Sequence, residues 1–536
     1  MTVAALSPAG SHVASRNPWL VAAIVVVPAF MEVLDTTIAL VALRYIAGGL
    51  SAAADDAEWV ITSYLAANAF ILPITGWLSA HLGRRNYFLA SIAIFTLSSL
   101  LSGLAGSLGQ LILFRVIQGL AGGGLQPGSQ GILLDAFPRE KQGVAMTLFG
   151  FAVLIAPVVG PTLGGWITDT YNWRWVFLIN VPVGILALGA CYAVLRDPDY
   201  LVAQRTELRK QPFHFDLIGL SLLVIVMVSW EVMLSKGQEW DWLGDPFWRV
   251  QTLAIFCGVG LVALIFWELR HRNPVVNFRV LGERNLAACC IMIFCAYIAL
   301  YASTKSMLGL LQSLFGYDAL STGLVMSPAG IFAVLAMPIV GRLLGLRMDA
   351  RWLIAAGLLL MTAGNYWMSQ LNLDISPGQA VWPRVVLVAG LAVCFAPANV
   401  AAYLYTPLAL RGAAIGLFSL LRNEGGSVGV SLSQTFEERR DQFHALRLGE
   451  SLDPFNPAVA SFLEQARGAF LQQTGDPVAA QQLAWQALEN LRQQQASSLA
   501  YFDTFWMMAV LTFAVAFFVL LMKRSVAEKG THAGAE

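Results

Sequence analysis

The chain has 536 residues, 57% of them hydrophobic and only 12% charged, with a mean hydropathy of +0.64 and 33 basic against 33 acidic side chains. A soluble domain of this size carries roughly twice that charged fraction, and the balanced charge offers no case for nucleic acid as a partner. Apolar runs of about 20 residues recur from end to end, so a membrane protein replaces the several soluble domains that length alone suggests.

The first run, residues 19–43, is of full length, and the N-terminus lacks a basic n-region and a convincing cleavage site after a short apolar core. It reads as a retained span and not as a removed signal peptide. Hydropathy predicts further spans over 59–78, 87–105, 108–134, 144–167, 175–195, 217–234, 250–269, 286–311, 320–343, 352–368, 381–404, 413–435 and 501–522, about fourteen in all. Basic residues fall on alternate loops: Arg84 and Arg85, Arg139 and Lys141, Arg196 to Lys210, Arg270 to Arg284, Arg342 to Arg351, and the tail with Lys523 and Arg524. The other loops carry Asp55, Asp56, Asp169, Glu239, Asp241 and Asp245. The positive-inside rule therefore predicts a cytoplasmic basic side with both termini on it.

Ionisable groups inside such runs are the candidates for function, because an Asp, Lys or Arg at a helix centre costs roughly 2.5–3.5 kcal/mol to insert. In the first span Glu32 and Asp35 are three apart and share a helical face. Two carboxylates this close in a low-dielectric cavity cannot both ionise cheaply, which suits a group that takes up and releases one proton per cycle. The bland alternatives are an Asp35 that bonds only to backbone or Thr37, and a Glu32 near the outer water.

The loop after the second span contains Gly76, Gly83, Arg84 and Arg85. The fourth span carries Arg115, which must face protein or water. It could pair with a carboxylate such as Asp35, or serve as a structural tether. The fifth span reads Ala156-Pro157-Val158-Val159-Gly160-Pro161-Thr162-Leu163-Gly164-Gly165. Gly160 and Gly164 permit close helix approach, while Pro157 and Pro161 remove backbone donors and bend the chain, as in a sealing surface, a hinge, or a merely kinked helix. Glu231, in the seventh span, reads as near the outer end and wet, and Lys305 is a further candidate. The thirteenth span carries Arg422 and Glu424, two apart and therefore facing different partners.

The chain also resembles itself. Pro73-Ile74-Thr75-Gly76 ends the second span and Pro338-Ile339-Val340-Gly341 ends the tenth, and the glycines of the fifth span return in the thirteenth as Gly425, Gly426 and Gly429. Both offsets are eight spans. This predicts an all-α membrane fold of two six-helix bundles in parallel repeat with two inserted helices, divided as an N-terminal bundle over 1–195, a linker with the inserted pair over 196–284, and a C-terminal bundle over 285–536. The outer segment 436–500 is rich in Gln and Ala, and Pro457 and Pro477 are placed to open two amphipathic helices. It reads as a solvated cap or as a dock for a periplasmic partner. The six cysteines lie in apolar runs without metal or disulfide spacing and read as buried small residues.

These features together resemble the fourteen-helix drug:proton antiporters of the major facilitator superfamily, of EmrB/QacA type, over nearly the whole chain. Leu34-Asp35-Thr36-Thr37-Ile38 resembles the first-helix motif, Arg115-Val116-Ile117-Gln118-Gly119 the fourth-helix motif, residues 156–165 the antiporter motif, and Gly76 to Arg85 the loop motif. Trp173-Arg174-Trp175-Val176-Phe177-Leu178-Ile179-Asn180-Val181-Pro182-Val183-Gly184 is the most specific block. The sequence departs from the family at Leu40 and Arg44, where Asn and Pro are usual, and adds Glu32 and Glu424 outside the motifs; Ala80 stands where many members of the superfamily have Asp, a position at which EmrB-like members also deviate. The resemblance implies the major facilitator fold, no cofactor beyond the proton motive force, and proton antiport of lipophilic compounds, cationic ones among them, from the inner membrane. It also implies an EmrA-like periplasmic adaptor and a TolC-like outer-membrane channel. A dedicated metabolite exporter using the same mechanism is the alternative. A membrane enzyme is disfavoured, because all six histidines fall in tails or loops and no nucleophile or Walker motif stands out. A non-transporting sensor has no use for Asp35 and Arg115 at their insertion cost.

Overall fold

The computed structural model describes residues 17–138, 141–210, 216–271, 274–346, 348–407, 410–453 and 455–525. Arg139, Arg272 and Arg347 of the basic loops lie outside this set. Each predicted span falls on a helix: α1 Pro18–Gly49, α2 Trp59–Leu82, α3 Arg84–Gly103, α4 Leu108–Ala136, α5 Gln142–Thr170, α6 Trp175–Val194, α7 Leu217–Lys236 and α8 Arg249–Arg270. These are followed by α9 Arg284–Leu314, α10 Ser321–Gly345, α11 Ala350–Ser369, α12 Pro377–Tyr403, α13 Arg411–Glu450 and α14 Pro477–Leu521. Starts are fixed by capping side chains: Asn17 before Pro18, Ser107, Asp216, Asp349, and a Ser376/Gln379 capping box.

Eleven of these helices are long and apolar enough to cross a membrane, and α5 makes twelve if its two arms, Gln142–Pro157 and Thr162–Thr170, are counted as one span bent by 46°. That bend sits where the chain has Pro157 and Pro161. The two predicted segments that fall short are α11 and α13; Arg422, Asn423 and Glu424 in mid-helix make α13 too polar.

α1–α6 pack into one bundle and α9–α14 into another, with α7 and α8 packed on each other outside both. The close approaches repeat. A Cβ on Gly164 of α5 would lie 3.2 Å from the Ile38 carbonyl of α1, and one on Gly429 of α13 would lie 2.5 Å from the Ile298 carbonyl of α9. Between the bundles, a Cβ on Gly76 of α2 would meet the Gly412 carbonyl carbon at 2.7 Å, and one on Gly341 of α10 would meet Thr147 Oγ1 of α5 at 3.2 Å. Exchanging α1 with α9, α2 with α10 and α5 with α13 maps each contact onto its counterpart, which is the geometry of a parallel repeat.

The cross-bundle contacts at Gly76 and Gly341 close the end that carries the basic loops. Gln130 of α4 adds a bond to Asn399 Oδ1 of α12 (3.2 Å), and Tyr403 donates to Gln130 Oε1 (3.4 Å). At the other end the bundles part around a cavity of about 780 Å³ that runs from Glu32 and Gln126 at mid-depth to Asp169 and Asp318 at the loops. One flank of it is filled by α7, which touches both bundles. Lys236 pairs with Glu58 beside α2 at 2.9 Å, while Trp230 and Trp242 donate to Glu424 (2.6 Å) and Thr435 (2.9 Å) of α13.

The outer segment departs from the expected boundaries. Asn456 and Pro457 do open a helix, Pro457–Thr474, which ends at Gly475 (φ +68°). However, α13 runs on to Glu450, and the helix opened by Pro477 continues without a break into the last span. The physical reason is that residues 430–448 and 478–500 contain neither Gly nor Pro and are rich in helix formers, so nothing stops the helix at the edge of the apolar run. All six cysteines are free; five are buried and Cys295 is partly so.

Candidate functional site

Asp35 and Arg115 are both fully buried and form an ion pair, Nη1 to Oδ2 at 2.5 Å. Arg115 Nε also donates to the Val60 carbonyl (3.1 Å), and its guanidinium lies over the Tyr64 ring, 4.1 Å from the centroid. The other Asp35 oxygen accepts from Gln118 Nε2 (3.0 Å) and Asn180 Nδ2 (2.6 Å), and Asn180 in turn reaches Ser99 (3.2 Å). Helices α4 and α6 thus converge on one carboxylate of α1, and the fourth-helix block and the Trp173–Gly184 block both supply a ligand to it. A buried pair whose carboxylate accepts three bonds is held by them as well as by its charge; breaking it by removing one member is costly.

Glu32, one turn away, has a different set of partners. It accepts from Asn68 Nδ2 (3.0 Å), Tyr64 (3.2 Å) and Gln126. It lines the cavity, whereas Asp35 lies behind the wall and is not among the lining residues. The two carboxylates expected to share a cavity are therefore separated by their partners: the α4 guanidinium draws Asp35 inward, and neutral amides hold Glu32 at the surface. Gln126 is the hinge of this arrangement, since its Oε1 accepts from Arg422 Nη2 of the other bundle. Asn423 Nδ2 likewise donates to Asn68 Oδ1 at 3.2 Å. Tyr64, Asn68 and Gln126 went unnoticed in the sequence; the available signal was amide side chains inside otherwise apolar runs.

Arg422 and Glu424 face different partners, as their spacing requires. Arg422 points at Gln126, while Glu424 accepts from Trp230 of α7. Glu231 is a correction: it is 2% exposed and not wet, accepting from Ser427 (3.2 Å) within reach of the Glu424 carboxyl. It sits in the wall of the cavity, where the packing of α7 against α13 leaves its side chain almost fully covered. Lys305 pairs with Glu437 near the outer end.

In α5, Gly160 and Gly164 face α1. A Cβ on Gly160 would come 2.1 Å from Thr37 Oγ1. Thr37 bonds to its own helix and to the Ala156 carbonyl, and not to Asp35. Pro157 and Gly165 line the cavity; the side chain of Pro161 lies outside the described set.

The loop motif lies at the closed end. Gly83 caps α3 at φ +90°, a conformation that favours glycine. Arg84 forms an ion pair with Asp135 and donates to the Gly131 carbonyl (3.0 Å). Arg85 N donates to Asp197 Oδ1 (2.7 Å), and Asp197 pairs with Arg205 at 3.5 Å. Asp197, an acid outside the loop motif, thus places its charge at the N-terminus of α3. Asp135→Asn should lower stability by about 3 kcal/mol, because it strands a guanidinium that is 9% exposed. Thermal unfolding in detergent, compared with wild type, measures this; an unchanged midpoint removes the pair as an anchor.

Two six-helix bundles around a central cavity, closed at one end and holding buried charges, define a multi-pass membrane transporter. Residues 25–430 match the family model described as Major Facilitator Superfamily, and the chain belongs to that superfamily and within it to the EmrB type. It is 36% identical to the multidrug export protein EmrB of Escherichia coli (strain K12), over 86% of this chain and 88% of that one. It is 38% identical to EmrB of Haemophilus influenzae, over 81% and 84%. The fatty acid resistance protein FarB of Neisseria gonorrhoeae is 36% identical over 80% and 83%. Among solved structures, the proton:xylose symporter XylE matches with a TM-score of 0.59 at 14% identity, covering 94% of this chain and 95% of that one, which speaks for the fold alone.

Proposed function

We propose that this chain exports lipophilic small molecules in exchange for protons by alternating access, with the Asp35–Arg115 pair and Glu32 as the coupling groups. The observation that carries the reading is the position of these groups: a buried acid–base pair and a cavity-facing carboxylate are adjacent, and Gln126 links the latter to Arg422 of the opposite bundle. A proton placed on this network changes which of its bonds can form, and those bonds cross between the bundles that must rock past each other. The multidrug names of the EmrB relatives support the substrate class.

The proposal places the chain in a bacterial inner membrane with the basic loops and both termini in the cytoplasm, and the cavity opening to the periplasm. The helical projection formed by the ends of α13 and α14 is then the surface for an EmrA-like adaptor leading to a TolC-like channel. A dedicated exporter of one metabolite is the second reading, favoured by the FarB relative.

Uptake of a panel of lipophilic dyes and drugs into inverted membrane vesicles tests this. A pH gradient should drive accumulation of several compounds. Accumulation that ignores the gradient sinks the antiport reading, and accumulation of one compound alone selects the metabolite exporter.

A further inference from the structure

We propose that Arg384 of α12 anchors an anionic headgroup, so that the cavity takes lipophilic monoanions (carboxylates or sulfonates on an apolar body) at a subsite separate from the Glu32 network. The inference rests on the export reading above and deepens it by naming a substrate class.

Arg384 is 5% exposed and forms part of the cavity wall. Its Nη2 donates to Thr304 Oγ1 of α9 at 2.8 Å, but Nε and Nη1 are buried with no acceptor among the described residues. The acidic groups lining the same cavity are engaged elsewhere. Glu58 pairs with Lys236, Glu32 accepts from Tyr64, Asn68 and Gln126, Glu231 lies against Ser427 and Glu424, and Asp169 holds Tyr45 at 2.5 Å. Asp318 caps the helix that follows it, and the neighbouring cation Lys305 is itself paired with Glu437. Among the described residues no carboxylate is thus bonded to Arg384, which has two buried nitrogens without acceptors; Arg422, the other arginine of the wall, has one such nitrogen and is tied to Gln126 of the Glu32 network.

A guanidinium cannot shed its proton to escape burial, and a buried charge without a counter-ion is among the costliest arrangements a protein retains. Arg suits carboxylate and sulfonate in particular, because its planar fork can donate two parallel bonds. Each edge of the guanidinium pairs Nη2 with one of the two nitrogens that lack acceptors, Nε or Nη1, and Nη2 has a second N–H beyond the one given to Thr304, so one complete fork is left for such a ligand. The surroundings suit the rest of the molecule: Val388, one turn on, and Leu300 and Leu308 on α9 also line the cavity. An anion at Arg384 and a proton in the Glu32 network would occupy one cavity without sharing a group.

The test measures binding of dodecanoate, of the shape-matched neutral dodecanol, and of tetraphenylphosphonium to the purified full chain in phosphatidylcholine nanodiscs. Wild type should bind dodecanoate more tightly than dodecanol. Arg384→Gln should weaken dodecanoate at least about tenfold, as expected for loss of charge-assisted bonds, and Arg384→Lys should restore part of it. Tetraphenylphosphonium should bind wild type and both variants alike, which shows the variants to be folded. Undiminished dodecanoate binding by Arg384→Gln overturns the proposal, as does equal loss of all three ligands in Arg384→Gln and Arg384→Lys. Phosphatidylglycerol added to the nanodiscs separates the sources: competition against dodecanoate that vanishes in Arg384→Gln identifies a lipid headgroup as the anion, and no competition identifies the free amphiphile. A wild type that exports tetraphenylphosphonium but does not bind dodecanoate refutes this subsite alone; one that exports nothing refutes the export reading.

Discussion

Asp35→Asn should reduce pH-gradient-driven efflux to background while the protein still inserts. The variant keeps the shape of the side chain and its contacts with Gln118 and Asn180, but it removes the charge facing Arg115. That leaves a fully buried guanidinium with only neutral acceptors, a loss of about 3–5 kcal/mol in stability. Stability and transport must therefore be separated. The double variant Asp35→Asn/Arg115→Gln removes both charges, so its thermal unfolding should return toward wild type. If Asp35 carries the coupled proton, efflux stays at background in the double variant. Recovery of efflux together with stability would reduce the pair to a structural tether, and normal gradient-driven efflux by Asp35→Asn alone would end its proton role.

Gly164→Leu should block turnover with equal completeness, through packing and not charge. α5 lies so close to α1 that a single Cβ at Gly164 would sit 3.2 Å from the Ile38 carbonyl and 3.3 Å from its Cα. A methyl group needs the neighbour to give by a few tenths of an ångström, so Gly164→Ala should keep most of the activity. The three further carbons of Leu have no room, and α1 must move outward, carrying Asp35 and Glu32 away from Arg115 and Gln126. Overpacking of this kind costs about 1–3 kcal/mol, too little to prevent folding of a chain this large. Vesicle transport with expression held equal measures the effect; wild-type transport by the Leu variant would remove the close α1–α5 approach from the mechanism.

Much of the architecture was legible in the residues. Fourteen helical segments, the repeat at an offset of eight spans, and the candidacy of Asp35, Arg115, Arg422 and Glu424 all follow from where polar groups interrupt apolar runs, because insertion of a charge into lipid is costly wherever it occurs. The repeat was legible because glycine is required wherever two backbones touch, so Gly76 with Gly341, and Gly164 with Gly429, leave marks that survive without their surroundings. The Asp35–Arg115 pair itself could be anticipated, since each needed a buried partner and few were on offer.

The partners of Glu32, the burial of Glu231 and the isolation of Arg384 could not be read in the same way. Asn68, Gln126 and Thr304 are ordinary polar residues whose meaning depends on which helix faces them, and those facings are between 36 and 296 positions apart in the chain. Glu231 looked wet because its span ends a turn later; the packing of α7 against α13 put it under cover. Local composition determined what each segment is and which groups need a partner, because insertion cost and helix propensity act on a residue and its near neighbours. Which partner each group obtained, and that Arg384 obtained only a hydroxyl, was decided by the packing of the two bundles and α7, since side-chain bonds form at about 3 Å between helices that only the tertiary structure brings together.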